Sequence, residues 1–407
     1  MHLNPGNQTT TKPHVSAAEG VRYAKAELFR LEEGNVKHYL IRGVCAWFLL
    51  VLLVACASRA PSIPTPNAAT QLAIDLAAIP THGRIIWRNE ITSAALADNL
   101  IGDAATRNYI VYLPPGYDST DKRYPVLYVL HWYTGSPSTF ADQMPSSLDA
   151  LVASAKVKPM ILVFPDGSNR FYGSEYMSSP TIGDYETYLV RHLVAQVDST
   201  YRTLPSRDSR GITGCSMGGL GSLHLALKYP DVYGVSAPMS GLFFQLEQDP
   251  GWQRSWEQAR SKWHGEPREL ADFDSLDGDT QGLINLAAIA ASNPEKPPFF
   301  LDMPFNIVNG QAEIDQEVFQ KINRLGLEYD VPAYISQPVR LNALLIYRDT
   351  NLGAEPLDRE WATQAYLRFD KLLADSGVEH ESAEVDAVHC TYDFSPILEF
   401  MGENLAY

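Results

Sequence analysis

The chain has 407 residues, enough for two domains, although α/β enzymes of about 250–300 residues often form a single domain. Hydrophobic residues make up 45% and charged residues 20%, a balance that argues against disorder and provides for a large core. The net charge of −16 argues against nucleic acid or an anionic membrane surface as a partner.

An apolar run near the N-terminus, Val44–Ala55, follows Lys37, His38 and Arg42. The run is shorter than the ~20 residues that a spanning helix needs. A basic stretch, a short apolar run and small residues after it predict a signal peptide over residues 36–56. The alternative is an uncleaved N-terminal anchor. Under both interpretations, the domain that follows is exported across a membrane.

The end of this segment, Leu53-Val54-Ala55-Cys56, resembles the lipobox of bacterial lipoprotein signal peptides. The resemblance implies that Cys56 becomes a lipid-carrying N-terminus and anchors the protein to a membrane at the cell surface or in the periplasm. Residues 1–35 precede the signal peptide, so we interpret them as a non-native extension. Residues 57–80 begin with several prolines and predict an extended tether.

Strands and helices alternate from residue 81 onward. The opening strands Gly83–Ile91 and Asn108–Leu113 are expected to pair antiparallel. Further strands are predicted at Tyr124–Leu130, Pro159–Phe164, Gly211–Gly214, Val232–Ala237, Leu341–Tyr347 and Ser382–Val385, and helices at about Asp184–Tyr201, Met217–Tyr229 and Asp358–Ala374. The alternation predicts one α/β domain over 81–407, with a mostly parallel sheet and helices on both faces.

Residues 242–340 interrupt this alternation. The stretch is rich in Trp, Gln, Asp and Pro, and Trp252, Trp256 and Trp263 are expected on one helix. Such an insertion predicts a lid near the active site. A scaffold insertion that packs at the edge of the sheet is the alternative.

A G-x-S-x-G motif at Gly214–Gly218 places Ser216 between a predicted strand and a predicted helix. This is the context of a nucleophile elbow, in which a strained turn exposes the serine hydroxyl. The backbone N–H of Met217, at the start of that helix, is the predicted first oxyanion donor. The second is the N–H of Tyr133, in the loop after the Tyr124–Leu130 strand.

His389 follows the predicted strand Ser382–Val385 and is the candidate general base; a surface-loop histidine is the alternative. His131 is a rival base, but its position marks it as an oxyanion-loop residue. A serine nucleophile and a histidine base work with an acid that orients the histidine, and this carboxylate should lie just past the Leu341–Tyr347 strand. Asp349, Glu355 and Asp358 qualify; Glu355 has the better spacing to the base, and Asp349 is the alternative.

Motifs for metals and cofactors are lacking in the sequence. Asp272–Asp279 resembles a calcium loop, but Leu276 falls on a ligand position and no glutamate closes the loop, so a solvated acidic loop is predicted. We find no H-E-x-x-H, no cysteine-pair zinc pattern and no glycine-rich phosphate loop. The sequence predicts a reaction without a metal or cofactor.

The chain resembles an esterase family of α/β-hydrolases that groups S-formylglutathione hydrolases, feruloyl esterases and enterochelin-esterase-like proteins. The resemblance rests on Arg107–Tyr117, Tyr124–His131, Pro165–Gly167, Val197–Arg202 and Gly214–Gly219. It implies an α/β-hydrolase fold and a Ser–His–acid triad. The chain departs from the family in having Trp132 after His131, where a glycine is usual, and Ala354-Glu355 at the acid motif.

Two cysteines remain after residue 56, and each adjoins a catalytic candidate: Cys215 precedes Ser216, and Cys390 follows His389. Neighbours of two residues in contact can lie within the ~4.4–6.8 Å Cα separation of a disulfide. The two dipeptides also resemble a pattern in tannases and fungal feruloyl esterases, which implies a bond. Two buried free thiols are the alternative.

These features predict an exported serine esterase that hydrolyses a small-molecule or carbohydrate-linked carboxylic ester through an acyl-enzyme. An acyltransferase that uses the same acyl-enzyme is the runner-up. A third hypothesis is a non-catalytic, surface-binding lipoprotein on a hydrolase scaffold. The intact elbow argues against it.

Overall fold

The computed structural model describes residues 81–241, 244–327, 340–349, 356–387, 390 and 393–407, with the backbone alone over 340–349, 356–362 and 383–387. The predicted signal peptide, Cys56 and the tether lie outside these residues, and so do Glu355 and His389.

Eight strands form one sheet: β1 Arg84–Thr92, β2 Thr106–Leu113, β3 Val126–Leu130, β4 Ile161–Pro165, β5 Arg210–Cys215, β6 Val235–Met239, β7 Arg340–Asp349 and β8 His380–Ala387. Their order is β1-β2-β4-β3-β5-β6-β7-β8. The first two pairs are antiparallel and the other five are parallel. The mostly parallel sheet of an α/β-hydrolase, predicted from the sequence, is confirmed.

Apolar side chains on both faces of the strands form two cores. Along β2, Tyr109, Val111 and Leu113 belong to one buried cluster, and Ile110 and Tyr112 belong to the other. This alternation follows from the two-residue period of a strand. Strands β3 and β4 are buried at every position, because helices cover both faces of the sheet.

The helices are α1 Met144–Ala153; α2, which joins Tyr185–Thr187, Tyr188–Leu193 and Val194–Thr200; α3 Met217–Lys228; α4 Pro250–Lys262; α5 Gly278–Ala290; α6 Gln316–Asn323; α7 Pro356–Asp375; and α8 Ser395–Asn404. A short helix at Ser138–Ala141 precedes α1, and short 3-10 helices occupy Ala94–Leu96, Tyr117–Ser119, Arg207–Ser209, Leu246–Gln248 and Leu270–Ser275. Helices α1 and α8 pack on one face of the sheet, and α2, α3 and α7 pack on the other.

The region 242–340 contributes α4, α5, α6 and a hairpin of Phe305–Val308 with Gln311–Ile314. Trp256 is fully buried and packs edge-on against Phe305 and Phe319, which joins α4 to the hairpin and α6. Trp252 and Trp256 lie on α4 as predicted. Trp263 does not: α4 ends at Lys262, and the backbone of Trp263 is extended.

The predicted solvated acidic loop has more structure than expected. Asp277 caps α5 by accepting a hydrogen bond from the N–H of Thr280, and Asp272 lies in a 3-10 turn. Asp274 forms an ion pair with Arg170 at 2.9 Å. Within the described residues no group of three or more metal-ligating side chains is found, and no helix there is long and apolar enough to cross a membrane.

A buried ion cluster joins α2 to α3. The Glu186 carboxylate faces His224 at 3.2 Å and Lys228 at 2.7 Å, and it accepts a hydrogen bond from Tyr229. Burial alone would raise the pKa of Glu186. Its hydrogen bonds and opposite charges, led by His224, outweigh burial and lower the pKa to about 2.

We expect Glu186→Gln to reduce the free energy of unfolding at pH 7 by about 2 to 3 kcal/mol. A depressed folded pKa gives stability that is present above the unfolded pKa near 4.5 and is lost as the pH falls toward 2. The difference between the two proteins should therefore shrink across that window. Urea unfolding at pH 7 and pH 3 measures it.

Glu257→Gln is the matched control, because Glu257 pairs with Arg260 on the exposed surface of α4. It should change the free energy of unfolding by less than about 0.5 kcal/mol. Equal losses in the two variants, or a Glu186→Gln loss that is as large at pH 3 as at pH 7, would contradict the prediction.

Candidate active site

Ser216 occupies a strained turn between β5 and α3. Its φ of 56° and ψ of −118° are unusual for a residue with a side chain, and such strain persists where the surrounding structure enforces it. The enforcing contacts are backbone hydrogen bonds: Ser216 N–H donates to the carbonyl of Met239 at 3.0 Å, and Leu220 N–H donates to that of Ser216 at 2.9 Å. This is the geometry of a nucleophile elbow.

The glycines of the motif are required by space. A Cβ on Gly218 would lie 2.2 Å from the carbonyl oxygen of Leu130, and one on Gly214 would lie 2.5 Å from that of Gly218. Both distances are far below any normal contact, and the obstructing atoms belong to the backbone. The motif therefore lets α3 pass close to β3 while Ser216 projects from the turn.

The two predicted oxyanion donors lie beside the nucleophile. Met217 is the first residue of α3, Tyr133 follows β3, and both line one cavity with Ser216. In the part of the chain that the structure describes, neither backbone N–H donates a hydrogen bond to another backbone group. The N-terminus of α3 also carries the positive end of the helix dipole, which favours negative charge at this point.

His131 is built into the scaffold and is not available as the base. The side chain is 1% exposed. Its Nε2 accepts a hydrogen bond from the N–H of Gly167 at 2.9 Å, so Nδ1 carries the proton and donates to the carbonyl of Trp132 at 2.8 Å. With both nitrogens engaged, His131 fixes the loop that carries Tyr133, as its position in the sequence suggested.

The segment Asp166–Met177 braces the same loop from the other side. Tyr176 Oη donates to the carbonyl of His131 at 3.0 Å, and the N–H of Thr134 donates to the carbonyl of Tyr172 at 3.3 Å. Tyr172, Glu175 and Tyr176 all have positive φ. Such strain clusters at active sites and ligand clamps.

The cavity beside Ser216 has a volume of about 260 Å³ and is covered by the inserted region. Its lining from the hydrolase core is Tyr133, Glu175, Ser216 and Met217, and its lining from α4 and α5 is Trp252, Ser255, Gly278, Asp279, Gly282, Leu283, Asn285 and Leu286. Arg170 ties the two parts together, because its guanidinium contacts Asp274 and donates to the carbonyl of Leu270 at 2.7 Å. Helices α4 and α5 of the insertion thus line the cavity that contains Ser216, and its role as a lid stays a prediction.

Cys215 and Cys390 form a disulfide with a Cα–Cα distance of 5.7 Å across a sequence separation of 175 residues. Both cysteines are buried. The bond joins the end of β5, directly before Ser216, to the residue directly after His389. Sequence reasoning left open whether these thiols were bonded; in the structure they are.

The carboxyl ends of three strands meet at the edge of the sheet where Ser216 lies. Strand β5 leads into Ser216, β7 ends at Asp349, and β8 ends at Ala387. The parallel register pairs Asp349 with Ala387, two residues before His389 in the sequence. Asp358 falls inside α7, and Glu355 directly precedes that helix.

Two polar residues of the cavity were missed by sequence reasoning. Glu175 is 4% exposed and Asn285 is 1% exposed, and Asn285 Nδ2 donates to Glu175 Oε1 at 3.1 Å. Burial raises the pKa of Glu175 to about 7, although the Asn285 hydrogen bond opposes the shift. No motif marks either residue, because they lie far apart in sequence and meet through the folding of the insertion.

Comparison with known proteins gives a family match. Residues 104–272 match the model of the esterase family described as "Putative esterase". An endo-1,4-beta-xylanase/feruloyl esterase of Xylanibacter ruminicola is 30% identical over 144 residues, which are 34% of this chain and 20% of that protein. An esterase of Mycobacterium tuberculosis is 29% identical over 218 residues, or 52% of this chain and 44% of that one. The chain thus spans less than half the length of these relatives.

Among solved structures, a ferulic acid esterase is similar with 19% identity and a TM-score of 0.49, covering 80% of this chain and 100% of that one. The family match encloses the elbow, the oxyanion loop and the bracing segment described above. The family predicted from the sequence is confirmed over residues 104–272, which match the model of this esterase family.

Proposed function

We propose that the protein is a serine esterase that cleaves a carboxylic ester through an acyl-enzyme on Ser216. The observation that carries the proposal is the strained elbow of Ser216, which lines a cavity together with Met217 and Tyr133. A serine hydroxyl in such a turn is presented to a substrate, and adjacent backbone N–H groups suit a developing oxyanion.

His389 is the proposed base that takes the proton of Ser216 and returns it to the leaving alcohol. The disulfide supports this assignment, since it bonds the neighbour of Ser216 to the neighbour of His389. Glu355, or alternatively Asp349, would accept a hydrogen bond from the imidazole and stabilise its protonated form. Water then attacks the acyl-enzyme and releases the acid.

Export and lipid anchoring at Cys56 belong to the same proposal. The apolar run Val44–Ala55 and the residues around Cys56 support it, and the Cys215–Cys390 disulfide fits an oxidising compartment outside the cytoplasm. The mass of the mature N-terminal peptide tests it. A mature N-terminus other than a lipid-carrying Cys56 would contradict the proposal.

Ser216→Ala should abolish turnover of p-nitrophenyl acetate, with a loss in kcat of about 10⁶-fold, as for removal of a catalytic serine. A fluorophosphonate should label the Ser216 peptide of the unmodified protein. Ser199→Ala, on the exposed side of α2, is the control and should retain activity and labelling. Turnover that survives in Ser216→Ala would refute the proposal.

The acyltransferase alternative shares every step up to the acyl-enzyme. Addition of an acceptor alcohol during turnover distinguishes the two functions. A hydrolase releases mainly the free acid, whereas a transferase forms a new ester in proportion to the alcohol.

A further inference from the structure

One wall of the cavity beside Ser216 is polar and deeply buried. Glu175 from the bracing segment and Asn285 from α5 are each more than nine-tenths buried and are joined by the Asn285 Nδ2 to Glu175 Oε1 hydrogen bond of 3.1 Å. Tyr133 lines the same cavity. We call these three residues the polar wall.

Each member of the polar wall has an unpaired atom. Among the described residues, Glu175 Oε2, Asn285 Oδ1 and Tyr133 Oη are buried and have no hydrogen-bond partner. A buried polar atom without a partner is strongly unfavourable, so native proteins rarely retain several together without a reason. A binding site that pairs with a polar group of its ligand is such a reason.

The three unpaired atoms differ in what they can do. Glu175 Oε2 in the ionised form and Asn285 Oδ1 accept hydrogen bonds, whereas the phenol of Tyr133 both donates and accepts. A hydroxyl group matches this set, since it can donate to one of the acceptors and accept from Tyr133. An ammonium group has no acceptor and would leave the Tyr133 proton unpaired.

The surroundings agree with a small, hydroxyl-bearing group. Burial raises the pKa of Tyr133, and the negative charge of Glu175 raises it further. The rest of the cavity is largely apolar, and its volume of about 260 Å³ is below the ~300–1,000 Å³ of drug-sized sites. One sugar ring or one aromatic ring is therefore the size of group that it can enclose.

We propose that Glu175 and Asn285, with Tyr133, form a specificity site that binds a hydroxyl group of the ester substrate next to Ser216. The proposal rests on the esterase function above and adds the substrate class: an ester that carries a free hydroxyl on its acyl or its alcohol part. The site selects the substrate and takes no part in bond cleavage.

Matched ester pairs test the site. The acyl pair is p-nitrophenyl 3-(4-hydroxyphenyl)propanoate and p-nitrophenyl 3-phenylpropanoate; the alcohol pair is glucose 6-acetate and cyclohexylmethyl acetate. We expect the hydroxylated member of one pair to have a kcat/KM at least about tenfold higher. The pair that shows the preference identifies the side of the ester that the polar wall contacts.

Glu175→Gln should reduce that preference to about one, mainly through KM. The side-chain NH2 of the glutamine can donate to Asn285 Oδ1, while Asn285 Nδ2 still donates to the glutamine's remaining oxygen. Neither oxygen is then left to accept a hydrogen bond from the substrate. For the same reason the variant should unfold at a higher urea concentration than the unmodified protein at pH 8. A purely structural role for Glu175 predicts lower stability.

Asp279→Asn is the matched control, because Asp279 lines the same cavity but is partly exposed and lies 3.8 Å from Lys262. It should leave the preference intact. Asn285→Ala provides a second variant that removes one acceptor and should also lower the preference.

Three outcomes would overturn the proposal while leaving the esterase function standing. In the first, the protein hydrolyses p-nitrophenyl acetate but shows no preference for the hydroxylated ester in either pair. In the second, the preference survives in Glu175→Gln. In the third, the protein prefers lysine methyl ester to norleucine methyl ester by a larger factor that depends on Glu175, which would indicate an ammonium site. Absence of any Ser216-dependent turnover would instead refute the esterase function itself.

Discussion

A Cys215→Ala/Cys390→Ala double variant is expected to lose about 5 kcal/mol of unfolding free energy and about 10²-fold in kcat/KM. The disulfide closes a loop of about 175 residues, and in the chain-entropy model such a closure restricts the unfolded state by that amount. The loss of activity follows from the position of the disulfide, because it fixes residue 390, the neighbour of the proposed base His389, beside the elbow. A catalytic group displaced by about 1 Å can lower the rate by about 10²-fold.

Reduction provides the control without a change in sequence. Dithiothreitol should lower the urea midpoint and the kcat/KM of the unmodified protein toward the values of the double variant, and it should leave the double variant unaffected. Mass spectrometry of peptides alkylated before reduction counts free thiols. Two alkylated cysteines at positions 215 and 390 in the active protein would contradict the prediction.

The fold and the nucleophile could be predicted because their signals are local in sequence. Continuous apolar strands such as β3 and β4 identify a sheet that is covered on both faces. The elbow can be recognised from its glycines, because a side chain at Gly218 would collide with the backbone carbonyl of Leu130. The disulfide could be anticipated for a related reason, because its two cysteines are the sequence neighbours of the nucleophile and the base, which a hydrolase brings together.

The polar wall could not be predicted, because it depends on a contact between distant segments. Glu175 has no periodic or spaced pattern around it, and its partner Asn285 lies 110 residues later among the mostly apolar buried residues of α5. The same limit applies to the covering of the cavity. Composition identifies 242–340 as an insertion, but only the folded structure shows that Asp274 contacts Arg170 and that α4 and α5 line the cavity beside Ser216.

Glu355→Gln is expected to reduce kcat by about 10⁴-fold, whereas Asp349→Asn should remain close to the unmodified protein. An amide at the acid position no longer holds the imidazole in the correct tautomer. The acid of an α/β-hydrolase is expected just past its strand, and β7 continues through Asp349, which is still paired with Ala387. Glu355 lies six residues beyond the strand, directly before α7 begins at Pro356.

The two amide variants control for each other, because each removes one negative charge, one at the end of β7 and the other directly before α7. The pH dependence of kcat/KM supplies a readout that misfolding would not produce. Loss of the true acid should lower the apparent pKa of the base, since the protonated imidazole loses its stabilising carboxylate. A 10⁴-fold loss with that pKa change in Asp349→Asn, and none in Glu355→Gln, would assign the acid to Asp349 instead.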